Sequence, residues 1–61
     1  MPYYRLYLIV DGNIVRSRLI DASDHDLACR QAEALCPDQR WEVWINSEKV
    51  GDSQTMRGRR D

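Results

Sequence analysis

Apolar and polar positions along the chain alternate at period two, shift to a helical spacing, and then alternate again. The longest apolar run is Tyr3-Tyr4-Arg5-Leu6-Tyr7-Leu8-Ile9-Val10, and almost every residue in it favours a strand. At period two, Tyr4, Leu6, Leu8 and Val10 share one face, and Tyr3, Arg5, Tyr7 and Ile9 share the other. Two tyrosines and an isoleucine on the outer side suggest that this face is partly covered. Asp11-Gly12 follows, a favoured pair for a type I′ turn with positive φ at both centres. A second strand then runs from Ile14 to Ile20.

An Asp11-Gly12 loop pairs Leu8 with Val15, Leu6 with Ser17 and Tyr4 with Leu19 on the inner face. On the outer face it pairs Ile9 with Ile14, Tyr7 with Arg16, Arg5 with Arg18 and Tyr3 with Ile20. Shifting the loop to Gly12-Asn13 moves each partner by two and leaves the faces unchanged. Arg5 opposite Arg18 is a mildly destabilising like-charge pair unless an acid or anion lies nearby. Solvated guanidinium heads on stems that cover apolar neighbours are the plainer explanation.

Ser23-Asp24-His25-Asp26 reads as a helix start, with Ser23 as N-cap and Asp26 at the capping-box position. The helix should end near Leu35 or Cys36, before Pro37. Ala28, Gln31, Ala32 and Leu35 make the middle of its inner face, flanked by Leu27 and Cys36. A third strand spans residues 41–45, with Trp41, Val43 and Ile45 inward and Glu42 and Trp44 outward. A Ser47-Glu48 loop leads to a short last strand at Val50. Residues 53–61 have no apolar period and read as a solvated, mobile tail.

The predicted fold is α+β: ββαββ, a four-stranded, mostly antiparallel sheet of order 2-1-3-4 with one helix on one face. The helix should make a right-handed crossover. One domain covers residues 1–52, and residues 53–61 form a flexible basic C-terminal tail. The expected core is Tyr4, Leu6, Leu8, Val15, Leu19, Leu27, Ala28, Ala32, Leu35, Trp41, Val43 and Ile45.

Arg5-Leu6-Tyr7, Asp11-Gly12-Asn13-Ile14, the Asp-rich helix start and Glu42-Val43-Trp44 together resemble a group of short, uncharacterised bacterial proteins. The resemblance reaches Gly51 and implies the ββαββ fold. It carries no activity and no catalytic residues, and the basic tail lies outside it.

Length changes the picture most. A domain of 61 residues buries only about 60% of the surface its unfolded chain exposes. Extra burial against a partner would help it. The net charge of −1 gives no bulk attraction to nucleic acid or acidic membranes. It conceals a tail with Arg57, Arg59 and Arg60 against Asp61, which could tether an acidic partner.

Cys29 and Cys36 lie seven apart on the helix, roughly 10 Å at 1.5 Å per residue, too far for a disulfide. They are expected as free thiols in a reducing cytoplasm. A single histidine and no close cysteine pair argue against a metal site. No cofactor is expected. His25 stands between aspartates without a nucleophile and reads as a solvated first-turn residue. Catalysis needs a concave pocket, for which one small core leaves little room, so no enzyme is expected. No charged leader and no membrane-length apolar run is present, which gives the expectation of a soluble cytoplasmic protein.

Chemistry therefore concentrates on the outer face: Tyr3, Arg5, Tyr7, Ile9, Ile14, Arg16, Arg18, Ile20 and Trp44. Aromatics and arginine are enriched at protein interfaces, and a homodimer or protein partner is the leading expectation. The alternative is single-stranded nucleic acid, with bases stacked on Tyr7 and Trp44 and phosphates on the arginines.

Overall fold

The computed structural model describes residues 3–57. The element order is β1 (Tyr3–Val10), β2 (Asn13–Asp21), α1 (His25–Leu35), β3 (Arg40–Ile45), β4 (Glu48–Asp52) and α2 (Ser53–Arg57). The strands form one antiparallel sheet of order β2-β1-β3-β4, the order expected from placing the most apolar strand inside. Both hairpins close through two residues with positive φ, Asp11 and Gly12 in the first, Asn46 and Ser47 in the second. That is the type I′ signature, whose twist suits the flanking strands. The second loop thus lies one residue before the expected Ser47-Glu48.

The main departure is in β2. Val10 pairs with Asn13 and Ile9 with Ile14, as the turn dictates, but Leu8 then pairs with Arg16. Val15 is the extra residue of a β-bulge. Because side chains alternate with period two, one inserted residue reverses the faces of everything beyond it. Arg16, Arg18 and Ile20 now share the face of Leu8, Leu6 and Tyr4, while Ser17, Leu19 and Asp21 share that of Tyr7, Arg5 and Tyr3. Two physical gains accompany the reversal. Arg5 opposes Leu19 rather than Arg18, which removes the like-charge pair. Ile20 enters the core at 3% exposure, and the buried Ala22 follows it.

The core comprises Tyr4, Leu6, Ile20, Ala22, Ala28, Ala32, Cys36, Trp41 and Val43, with Leu8, Cys29, Ile45 and Val50 packed partly against it. Expected members Val15, Leu19, Leu27 and Leu35 are exposed instead. The helix is turned toward its cysteines: Ala28 and Ala32 are fully buried, and Cys29 packs so close to β4 that a methyl on Gly51 would collide with its Sγ. The N-cap is Asp24, whose Oδ1 accepts the Leu27 amide at 2.8 Å. It stands one residue after the expected Ser23. His25 is exposed, yet its Nδ1 shares a 2.8 Å hydrogen bond with the hydroxyl of the buried Tyr4. That contact satisfies a polar group whose burial would otherwise be costly.

Residues 53–57 are not a solvated tail. α2 begins where the buried Ser53 Oγ accepts the Trp41 amide at 3.1 Å. Asp52 Oδ1 caps it by accepting the Thr55 amide at 2.7 Å. At its far end Arg57 donates to Glu33 on α1 and to the Cys36 carbonyl. Residues 58–61, the rest of the expected basic tail with Arg59, Arg60 and Asp61, lie outside the described residues.

Candidate functional site

One helix layer covers one side of the sheet. On the other side β1 contributes Tyr3, Arg5, Tyr7 and Ile9, β2 contributes Ile14, Ser17, Leu19 and Asp21, and β3 contributes Arg40, Glu42 and Trp44. Of the predicted interaction residues, Tyr3, Arg5, Tyr7, Ile9, Ile14 and Trp44 are brought together here. Arg16, Arg18 and Ile20 are not: the bulge at Val15 carries them to the helix side, where Ile20 is core. Leu19, assigned to the core from sequence, takes their place at 56% exposure, beside Tyr3 and Ile14 at 59% each.

The centre of this face is an aromatic pair. The rings of Tyr7 and Trp44 meet edge to face with centroids 6.5 Å apart, a favoured quadrupole geometry. Trp44 Nε1 donates to Glu42 Oε1 at 3.0 Å, which holds the indole along β3. Between β1 and the β3–β4 turn lies a shallow hollow of about 420 Å³, floored by Tyr3, Arg5, Tyr7, Leu19 and Trp44. Toward β4, Lys49 Nζ lies 2.9 Å from Asp52 Oδ2 and 3.9 Å from Glu42 Oε2.

Partial burial raises the Asp52 pKa, but the Thr55 amide and the Lys49 ammonium outweigh it and hold the carboxyl at about 2. The bond to Asp52 in turn raises Lys49. Cations and anions are matched on this face: Arg5, Arg40 and Lys49 against Asp21, Glu42 and Asp52.

The helix side has a second concavity. Leu6, Leu8, Val15, Leu35 and Cys36 line a groove of about 430 Å³ between β2 and the C-terminal end of α1, and Arg16 and Arg18 stand over it. Among the described residues, neither groove nor hollow holds a nucleophile with an adjacent base. Burial, Asp26 and Asp52 all push the Cys29 thiol up from its ordinary value, the opposite of activation. Among the described residues no group of three His, Cys, Asp or Glu side chains is placed to hold a metal ion. No described helix is long and apolar enough to cross a membrane. No protein-family model, curated protein or solved structure matches the chain at a significant level.

Proposed function

We propose that this chain is a small non-enzymatic interaction module that pairs with a second copy of itself through the helix-free face of its sheet. The observation that carries this reading is the grouping of Tyr3, Tyr7, Leu19, Ile14 and Trp44 on a face that no helix of the described residues covers. The molecule measures 30 × 29 × 20 Å, so its broad side offers several hundred Å², comparable to the roughly 800 Å² per partner of a standard interface. Burying one large apolar side chain stabilises by about 1.5–3 kcal/mol, which matters in a chain this short.

Charge supports a second copy over a polyanion. The face is electrically balanced, with Arg5, Arg40 and Lys49 against Asp21, Glu42 and Asp52, so a twofold mate meets no surplus of like charge. Single-stranded nucleic acid would need a surplus of cations beside its stacking rings. Arg16 and Arg18 no longer supply it, and Arg57 is bound to Glu33.

Sedimentation equilibrium on the order of tens of micromolar, the range of weak interfaces, tests the proposal. A mass twice 7.2 kDa is expected, reduced to the monomer by Trp44→Glu without loss of secondary structure. A monomeric parent chain overturns it. A gel shift with mixed single-stranded oligonucleotides at low salt would instead favour the nucleic-acid reading.

A further inference from the structure

The other unpartnered surface is an edge rather than a face. β2 is the terminal strand of the sheet on its side and the longest strand of the fold, and every residue in it except Ile20 is exposed. An edge of this kind presents a row of backbone donors and acceptors to whatever lies alongside. Bulges usually spoil such edges, but here the irregularity is confined to Val15. Residues 16–21 pair with β1 without interruption, so their outer side is a regular ladder.

The side chains along this edge define what would fit. On the helix side Arg16 and Arg18 stand two residues apart over the apolar groove, and among the described residues neither forms a salt bridge or a side-chain hydrogen bond. On the opposite side of the same strand Leu19 is 56% exposed. A strand added alongside would set its residues at i and i+2 opposite Arg16 and Arg18, while its intervening residues reach the other face near Ser17 and Leu19. Carboxylates at the first positions and apolar side chains at the second satisfy both sides. A second copy of β2 does not fit this pattern. An antiparallel pair centred on Arg16, Ser17 or Arg18 sets arginine against arginine, and like charges directly opposite one another are destabilising.

We propose that the outer edge of β2 takes up an extended peptide segment of alternating acidic and apolar residues as a fifth strand. Arg16 and Arg18 select the carboxylates, and the ladder supplies sequence-independent hydrogen bonds. This edge lies apart from the face proposed for self-pairing, so occupancy of one does not require the other.

Titration of the ¹⁵N-labelled full chain with a capped Glu-Val repeat octapeptide tests it, with a Lys-Val repeat and a thymidine oligonucleotide as comparisons. The expected result is that the acidic peptide perturbs β2 amides at residues 16–21, with Trp44 unmoved. The basic peptide should bind at least about tenfold more weakly, the size expected when two cross-strand charge pairs change sign. Arg16→Glu/Arg18→Glu should reverse that preference. The milder Arg16→Gln/Arg18→Gln should abolish it if the charge reversal disturbs folding. The proposal is overturned if β2 amides do not move, if both peptides bind alike, or if the glutamine variant keeps the preference. It is also overturned if the oligonucleotide perturbs the same amides as strongly as the acidic peptide.

Discussion

Asp52 shows how much one side chain can organise in so small a chain. It ends β4, caps α2 through the Thr55 amide and pairs with Lys49 on the helix-free face. Its carboxyl is held at about 2, against an ordinary 3.8. A folded-state pKa below the unfolded one means the ionised form stabilises the fold. That contribution is fully present above pH 3.8 and is lost as pH falls toward 2. Glu33, lowered by its bond to Arg57, acts in the same direction. Urea midpoints measured across this interval should fall with pH, and Asp52→Asn should flatten much of that fall. An Asp52→Asn variant with the parent's full acid dependence would show that other carboxylates carry it.

At the scale of elements, the fold depends on a single inserted residue. The bulge decides which of two adjacent apolar residues is core: Ile20 is 3% exposed and Leu19 56%. Ile20→Ala should therefore cost about 2–5 kcal/mol by chemical denaturation, and Leu19→Ala no more than about 0.5 kcal/mol. The reverse order would mean that β2 runs without the bulge.

α2 offers a second test. Removing residues 53–61 takes away the Ser53 hydroxyl that accepts the buried Trp41 amide. The chain should lose about 1–3 kcal/mol, the cost of leaving such a group unmade, and Ser53→Ala should reproduce part of it. A truncated chain as stable as the parent would return these residues to the status of a solvated terminus.

These two elements also mark where sequence reading fell short. The strands, the Asp11-Gly12 turn, the central place of β1 and the single covering helix were legible from apolar period and turn chemistry. The bulge was not, because Leu19-Ile20 offers an apolar residue at either parity and period two cannot choose between them. Leu19 therefore changed places with Ile20, and two arginines left the outer face with it. α2 escaped notice because it is held by a cap, a buried serine and an ion pair rather than by an apolar stripe. The Tyr7–Trp44 pair was within reach, since both positions survive any register of β2.

The whole molecule is a plate with a finished side and an unfinished one. The helix side buries Trp41, Tyr4 and Val43 almost completely, while the other side leaves Tyr3, Ile14 and Leu19 more than half exposed. The proposed dimer mates the bare sides, leaving α1 outward on each copy and the β2 edges free. Isotope-filtered NOE spectroscopy on a mixture of labelled and unlabelled chains, at a concentration on the order of a millimolar to saturate a weak pair, reads that mating directly. Intermolecular cross-peaks should join the Tyr7 and Trp44 rings of one copy to Tyr3, Leu19 or Trp44 of its mate. No intermolecular cross-peak, or cross-peaks confined to α1 or the β2 edge, would contradict a dimer built on the helix-free face.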